Sequence, residues 1–356
     1  MNRLRIASLS VLLSLASSMS AQWWQTAWEE TVSSFDGAFT HLDVGVTAST
    51  TGLGLEAASP AGKYLRLRTG FTYMPRFQMT SNFPIDMNGV TSIGEDRRRR
   101  MIDVITNFTG REVRDNVDAN MRPSWGNFKI LIDVMPIPDN KQWSFTLGFF
   151  VGSSTIGRAK NAASGTPTLA AVSMYNSMYS KACKGEPMLE YEDSRGTMHD
   201  ISLPDDFNER IVAARMAGMP LGYFSDGDRA MMVPDENYGA RASMKVNSFR
   251  PYLGAGYNKE LSSDGRWKLT VDAGLLFWGG SPHVYVDNVY KVNSENDYDM
   301  DVWNAETKSW ETVQPQRIDL THDVHNIPGK VGDMTKLVKH FKVYPSLSVT
   351  VSRNIF

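Results

Sequence analysis

The chain has little cysteine, little net charge and no long apolar run beyond its start, and each shortage excludes a class of protein. One cysteine among 356 residues excludes a disulfide framework and a zinc site built from several thiolates. The 37 basic and 39 acidic residues nearly balance, which argues against a nucleic-acid partner, because such proteins usually carry a basic surface. Past the N-terminus no apolar run approaches the roughly 20 residues of a membrane-spanning helix, which excludes a helical membrane protein.

The N-terminus has the pattern of an export signal. Met1–Arg5 carries two arginines, Ile6–Ala16 is apolar but too short to span a bilayer, and the small residues Ser20 and Ala21 follow. This pattern predicts that residues 1–21 form a secretory signal peptide, which is cleaved after Ser20 or Ala21. The tryptophan-rich residues 22–37 are predicted to form an amphipathic segment at the membrane interface, with an unstructured leader as the alternative.

Strict two-residue alternation of apolar and polar side chains predicts β-strands that each have one apolar and one polar face. In Trp143–Val151, for example, every second side chain is large and apolar, and the residues between are Ser, Thr, Gly and Phe. The segments with this pattern are Leu42–Ala48, Leu53–Ala57, Tyr64–Tyr73, Phe128–Val134, Trp143–Val151, Tyr252–Tyr257, Leu269–Phe277 and Val343–Val351.

The lengths of the connections between these segments favour a membrane barrel. Short, turn-rich links alternate with three long connections at 76–125, 155–246 and 279–340. An even number of strands, with short turns at one end and long loops at the other, is typical of outer-membrane barrels. We therefore predict an all-β fold in which residues 38–356 form an antiparallel transmembrane β-barrel of eight strands in the outer membrane. A soluble sandwich or a lipocalin-like barrel is the alternative.

The long connections and the C-terminus carry further signals. Thr166–Gly185 and Pro204–Gly218 have proline near the start and glycine at the end, which predicts helices within the longest extracellular loop. The chain ends on Phe356, and a terminal aromatic residue is the usual assembly signal of such barrels, although Arg353 and Asn354 interrupt the alternation before it. The expected partners are the barrel assembly machinery, outer-membrane lipid and lipopolysaccharide.

The polar faces of the predicted strands collect charges of both signs. An eight-stranded barrel is just wide enough for its side chains to fill the interior, and an isolated ion there is very costly. A balanced set therefore predicts a plugged, structural lumen with paired charges, and an ion or proton path is the alternative reading. The set comprises four carboxylates and four cations: Asp43, Glu56, Asp133 and Asp272, with Arg66, Arg68, Lys129 and Lys342.

The candidate metal motifs are weak. His322-x-x-His325, beside Asp319 and Asp323, does not match the spacing of a zinc site and is interpreted as a solvated loop. The series Asp297-x-Asp299-x-Asp301 resembles a calcium loop, but it has valine where the glycine is needed and lysine where the bidentate glutamate is needed. The sequence therefore predicts no metal ion and no cofactor.

The candidates for chemistry other than metal binding are equally weak. Arg97–Arg100 could contact lipopolysaccharide phosphates, but a solvated basic loop or a processing site explains it as well. Cys183 has no recognisable partner for nucleophilic catalysis, and the nearness of Ser281 to His283 is uninformative. No catalytic residue is predicted.

Several segments combine glycine-aromatic strands with a Pro-Gly turn, namely Phe249–Tyr257, Asp272–Gly280, Asp323–Asp333 and Phe341–Phe356, with the strand at Tyr64–Tyr73. These segments resemble a family of uncharacterised outer-membrane barrel proteins from Bacteroidota-type Gram-negative bacteria. The resemblance implies a barrel in the outer membrane, with a Pro-Gly turn before a short helix at Asp333–His340, and it carries no catalytic residue. The connections at 76–125 and 155–246 have no counterpart in it.

These observations lead to a non-enzymatic protein with a structural or surface-binding role carried by its long outer loops, because loops on a rigid scaffold commonly carry recognition. One alternative is a small-solute transporter of ten or more strands, with further strands from Ala230–Asn247 and Val284–Val292. A second alternative is a lipid-modifying barrel enzyme, which needs a Ser/His/acid cluster at the barrel rim.

Overall fold

The computed structural model describes most of the chain beyond its N-terminal tenth. The described ranges are 39–85, 116–137, 141–187, 190–192, 195–200, 207–292 and 300–355, with the isolated positions 103, 106, 107 and 114. The predicted signal peptide, the segment 22–37, Arg97–Arg100 and Phe356 therefore lie outside the described residues. So do the first two aspartates of the calcium-like series.

The strands of the described residues dominate the fold. In chain order they are β1 (Asp43–Ser49), β2 (Gly52–Pro60), β3 (Leu65–Tyr73), β4 (Met79–Pro84), β5 (Asn116–Pro123), β6 (Gly126–Val134), β7 (Trp143–Gly152), β8 (Thr155–Asn161), β9 (Glu190–Glu192), β10 (Met198–Asp200), β11 (Met219–Phe224), β12 (Arg229–Met232), β13 (Arg241–Lys245), β14 (Phe249–Glu260), β15 (Trp267–Phe277), β16 (His283–Val292), β17 (Asp301–Asn304), β18 (Ser309–Thr312), β19 (Gln316–Asp319), β20 (Val324–His325) and β21 (Val343–Asn354). The α-helices are α1 (Thr166–Lys184), α2 (Phe207–Ala214) and α3 (Gly329–His340), and a 3-10 turn, Ala163–Gly165, precedes α1.

Eight strands form a closed antiparallel barrel in the order β1-β2-β3-β6-β7-β14-β15-β21, and β1 pairs with β21 to complete the circle. These are the eight segments that the alternation predicts, so the all-β, eight-stranded barrel is confirmed. The tight β1–β2 turn needs glycine, because Gly52 has a φ of +120°, where other residues are strained.

Side chains alternate across the barrel wall as the pleat of a β-strand requires. In β7, Phe145 and Leu147 point outward and are 60% and 51% exposed, whereas Thr146 between them points inward and is 0% exposed. The apolar face of the barrel therefore points outward, and the polar face lines the lumen.

A second sheet, which we call the cap sheet, is built from the three long connections. It has nine strands in the order β20-β11-β12-β16-β13-β8-β5-β4, and β19 pairs with β16. The sequence predicts that these connections are partly helical loops, and it does not predict this sheet. The stretches Ala230–Asn247 and Val284–Val292 do contain strands, but these strands lie in the cap sheet and none of them joins the barrel, which corrects the alternative of ten or more barrel strands.

The helices pack on the cap sheet. α1 begins with a proline in its first turn and ends at Gly185, which has the left-handed conformation of a helix C-terminus. Its apolar face, with Val172 and Tyr179 almost fully buried, packs against Ile211 of α2 and Met231 of the cap sheet. α1 matches its predicted helix closely, and α2 occupies the middle of the predicted one. α3 ends where predicted but begins at Gly329, about one turn before the predicted start at Asp333. No helix of the described residues is long and apolar enough to cross a membrane.

Backbone hydrogen bonds continue from the barrel into the cap sheet. The amide of Met74 donates to the carbonyl of Trp125 at 2.8 Å, and the amide of Ser124 donates to the carbonyl of Ile156 at 2.9 Å. The amide of Val246 likewise donates to the carbonyl of Ser154 at 2.9 Å. The cap sheet is therefore joined directly to one end of the barrel, where the long connections emerge.

Candidate functional site

The centre of the barrel lumen is an ion cluster around Arg68, which points inward from β3 and is 1% exposed. Its Nε lies 3.6 Å from Oε1 of Glu56 and 3.5 Å from Oδ2 of Asp133, and its Nη2 lies 3.4 Å from Oδ2 of Asp272. One arginine thus contacts three carboxylates from three strands. Such an arrangement offsets the large cost of burying each charge.

Two further cations complete the charge balance. Arg66 approaches Asp133 to 2.6 Å through its Nη2, and Lys129 forms an ion pair with Glu56. Lys129 reaches Glu56 across β3 at Gly70, the residue that pairs with both in the register. A Cβ on Gly70 would lie 3.2 Å from Cε of Lys129, so the missing side chain leaves room for this contact.

The fourth carboxylate has a different partner from the one expected. Asp43 is bound by Lys268, whose Nζ lies 2.9 Å from Oδ2 of Asp43. Lys342, which sequence analysis assigned to the lumen, is exposed and precedes β21. Lys268 was missed because β15 begins at Trp267, two residues before the predicted start, and Lys268 shares the inward face with Thr270 and Asp272. The other seven predicted lumen residues all lie inside the barrel.

Neutral groups fill the remaining space around these charges. The hydroxyl of Thr146 lies 2.9 Å from a carboxylate oxygen of both Asp133 and Asp272, and the hydroxyl of Tyr252 donates to Asp272. The residual cavity beside Arg68 is about 10 Å³, close to the minimum volume that holds one water molecule. The lumen of the described barrel is therefore occluded by its own side chains.

An aromatic cluster closes the end of the barrel that meets the cap sheet. The ring of Trp125 lies edge-on to Tyr344 with centroids 4.9 Å apart, and Trp278 stacks on Tyr344 at 5.4 Å. Arg250 is fully buried below Trp125, with its guanidinium 5.6 Å from the ring centroid. It donates to the side chain of Asn127 and to backbone carbonyls, and none of these acceptors is charged.

A sizeable cavity lies in the cap. It has a volume of about 340 Å³ and is partly open, between the apolar face of the cap sheet and α3. This volume is within the range of roughly 300–1,000 Å³ that is usual for small-ligand sites. We call it the cap pocket. The sequence does not predict the cap pocket, because the pocket depends on a sheet that the sequence does not predict.

The cap also brings His283 next to Asp319 and His322, which are already close to each other in the sequence. Both imidazole Nδ1 atoms contact Oδ2 of Asp319, at 2.6 Å for His283 and 3.0 Å for His322. The two rings lie nearly parallel, inclined by 22° with centroids 4.6 Å apart. Because the lone pair of an imidazole nitrogen lies in the plane of its ring, two rings stacked face to face in this way do not both direct their lone pairs at one ion. In this arrangement the three residues form a hydrogen-bonded cluster.

Asp319 is strongly held in this cluster. Burial alone would raise its pKa, but hydrogen bonds from Thr321 and His283 outweigh that effect, so the pKa of Asp319 lies below its ordinary value. The Thr321 hydroxyl donates to Oδ1 of Asp319 at 2.5 Å, and the backbone amide of Asp319 donates to Asp323 at 2.7 Å. The cluster therefore fixes the turn that follows β19.

The remaining motif residues have structural contacts. Asp301 is buried and accepts a hydrogen bond from Thr312 at 2.8 Å, and Nζ of Lys184 lies 3.0 Å from it. Cys183 is partly buried on α1 beside the core of the cap. His325 lies on β20, where it pairs with Tyr223.

Comparisons with known proteins add little. No family model matches the chain, and no curated protein matches it. Among solved structures, the chain is similar to the crystal structure of Acinetobacter baumannii CarO2, with a TM-score of 0.35 and 12% identity over 88% of this chain and 98% of that one. It is similar to Acinetobacter baumannii CarO with a TM-score of 0.34 and 11% identity over 87% and 96%. The resemblance to a Bacteroidota family stays a prediction.

Proposed function

We propose that this protein is an outer-membrane barrel with a sealed lumen, and that it acts by binding a ligand at its extracellular cap. The observation that carries the proposal is the contrast between a lumen filled with paired charges and a cap that contains an open cavity. The alternation of the barrel wall supports its insertion into a lipid bilayer.

The outer face of the barrel has the composition that a bilayer requires. Aliphatic side chains such as Leu147, Leu253 and Val349 are exposed along the middle of the wall. Aromatic residues are found toward both ends: Trp143, Tyr257 and Trp267 near the short turns, and Tyr73, Phe249 and Phe277 near the cap. Transmembrane barrels have an apolar band between two aromatic girdles, and their longer loops are extracellular. By this rule the cap faces the outside of the cell.

The sealed lumen argues against a transport role. A porin needs a polar channel, whereas the described barrel interior is blocked by the Arg68 ion cluster and by the aromatic rings at the cap end. In a soluble protein, the apolar outer face of the barrel would be expected to be covered, because a large contiguous apolar surface favours aggregation in water. The absence of catalysis remains a prediction.

The test uses full-length protein purified from outer membranes. Electrophoresis of unboiled and boiled samples should show a heat-modifiable band, because a folded barrel resists SDS until it is heated. Single-channel recording in planar bilayers should show no stable open steps of porin size. A protein found in the soluble fraction without such a band would refute the membrane barrel, and stable porin-size steps would refute the sealed lumen.

A further inference from the structure

We propose that the cap pocket binds the aliphatic chain of an anionic amphiphile, with its acidic headgroup held by lysines at the end of α3. The ligand class is a long-chain fatty acid or an acidic lipid. This inference rests on the proposed function for the position of the cap at the membrane surface.

The floor of the cap pocket is formed by residues with small or apolar side chains. Ala159 of β8 pairs with Met121 on one side and with Ala242 on the other, and Gly157 pairs with Met244. Residues that pair directly share one face of a sheet, so these side chains form a continuous surface. The small side chains leave a hollow that larger ones would fill.

The walls of the pocket are flexible and apolar. Methionine adapts its shape to irregular partners, and it is common at surfaces that bind varied apolar ligands. α3 covers one side of the hollow with Val331, Met334 and Val338. The methionines around the pocket are Met79, Met121, Met219, Met232, Met244 and Met334.

Four basic residues border the pocket, namely Arg122, Arg158, Lys160 and Arg241. Arg122 pairs with Arg158, and Lys160 pairs with Arg241, in rows that alternate with the floor residues. Because successive side chains of a strand point to opposite faces of a sheet, these four side chains are directed away from the floor. The hydroxyl of Thr335, in the wall, already donates to the carbonyl of Val331 at 2.7 Å. A sugar or a nucleotide would lose its hydration here without gaining partners, whereas a hydrocarbon chain would be buried favourably.

One side of the pocket lies next to the barrel rim, because two of its lining residues, Phe77 and Met79, closely follow barrel strand β3. Phe77 and Met79 are 49% and 53% exposed, and they follow the end of β3 directly. Phe341, also exposed, joins α3 to β21. These side chains continue the apolar outer face of the barrel upward, so a lipid chain could enter the pocket from the outer leaflet without crossing water.

The headgroup preference follows from the charges on α3, the helix that forms one wall of the pocket. Lys336, Lys339 and Lys342 are exposed in the last turns of α3 and just beyond it, and no ion-pair partner of theirs is found among the residues with described positions. Asp333 is the single acidic side chain of α3. This excess of positive charge next to an apolar cavity matches a ligand with an aliphatic chain and an acidic head.

The experiment measures binding of 11-(dansylamino)undecanoic acid to full-length protein in phosphatidylcholine nanodiscs. Dansyl emission should rise on binding, and unlabelled hexadecanoate should displace the probe. Hexadecyltrimethylammonium, which has the same chain length with a cationic head, should compete at least tenfold less well. Mass spectrometry of lipids extracted from the purified protein distinguishes a retained membrane lipid from a free fatty acid as the natural source.

Two variants test the pocket itself. Ala159→Phe fills the floor and should weaken probe binding at least tenfold, and Gly157→Val should act in the same direction if the first variant folds poorly. Gly157→Ala is the matched control, because a Cβ there meets only Met244, at 3.8 Å, and binding should change less than twofold. Unchanged binding in a folded Ala159→Phe protein would overturn the inference.

Two sets of charge variants test the headgroup site. Replacing Lys336, Lys339 and Lys342 together with glutamine should remove the preference for the anionic over the cationic competitor. Arg158→Gln with Lys160→Gln, on the opposite face of the cap sheet, should leave that preference unchanged. The heat-modifiable band is measured on every preparation. A heat-modifiable protein that fails to bind the probe overturns this inference alone, whereas loss of the band in the wild-type protein overturns the proposed function.

Discussion

The barrel and the cap sheet use the same alternation of side chains with opposite polarity. In the barrel, the enclosed face carries Arg68 and its carboxylates, and the face toward the surroundings is apolar. In the cap sheet, the enclosed face is apolar around Ala159, and the outward face carries Arg158 and Lys160. The enclosed charges of the barrel leave a cavity of only about 10 Å³, whereas the enclosed apolar face of the cap leaves one of about 340 Å³. The same alternation of side chains therefore closes the interior of the barrel and leaves an open pocket in the cap.

The largest effect should follow from breaking the charge balance inside the barrel. Arg68→Met leaves three buried carboxylates with too few cations, and removing one partner from a buried ion cluster costs about 3–5 kcal/mol. We expect the urea midpoint for loss of the heat-modifiable band to fall sharply. Arg158→Met, an exposed site on the cap sheet, is the control and should change stability by less than about 0.5 kcal/mol. Equal effects of the two variants would contradict the proposed ion cluster.

A somewhat smaller effect should follow from opening the junction between the two regions. Trp125→Ala removes a buried ring that contacts Tyr344 and lies over Arg250, and the loss of such a side chain costs about 3 kcal/mol. Because both the barrel end and the cap depend on this contact, the urea midpoint should fall and the cap should become more sensitive to protease. Protease sensitivity with an unchanged midpoint would show that the ring stabilises the cap alone.

A smaller effect again is expected where the barrel needs empty space. A Cβ on Gly70 would lie 2.4 Å from the carbonyl oxygen of Leu55, so Gly70→Ala requires the backbone of β2 or β3 to shift. Overpacking of this kind costs about 1–3 kcal/mol. The urea midpoint of the barrel should fall, while dansyl-probe binding at the cap should stay within twofold of wild type. Loss of probe binding would show that the two regions are not independent.

The smallest effect concerns the pH dependence of the cap. A carboxyl group whose pKa is lowered by folding stabilises the protein above its unfolded pKa, and that contribution is lost as the pH falls through the folded value. Asp319 should therefore stabilise the cap above about pH 4, and protease resistance of the cap should decline below that value. Asp319→Asn should lower the protease resistance of the cap at neutral pH and make that resistance depend less on pH. The heat-modifiable band of the barrel should be unaffected. A decline of the same size in the variant would exclude Asp319 as its source.

The barrel could be predicted from the sequence because its two faces differ so strongly. A wall with an apolar outer face and ion pairs inside has large apolar residues at every second position, as in Trp143–Val151, and this leaves a clear period in the chain. The lumen residues follow from the same period. Lys268 was missed only because strand ends are set by pairing with neighbouring strands, here by Arg353 of β21 opposite Trp267.

The cap sheet could not be predicted, because its strands show little contrast between polar and apolar positions. Its pocket floor consists of small residues such as Gly157, Ala159 and Ala242, which give almost no hydropathy contrast with their neighbours. β8 reads Thr155–Asn161 with charged and small residues in turn, so its apolar face is visible only once β5 and β13 are placed beside it. The cluster of His283, Asp319 and His322 likewise depends on the pairing of β16 with β19, which no local pattern encodes.

The hydrogen bonds that run from Met74, Ser124 and Val246 across the junction leave the cap without a hinge. Strands cross from one region to the other at several places, so tilting the cap would require breaking main-chain bonds on more than one strand at once. The cap is therefore held at a fixed position relative to the end of the barrel. Under the function that we propose, capture and release of a ligand come from small movements of side chains and of α3, without a movement of the whole cap.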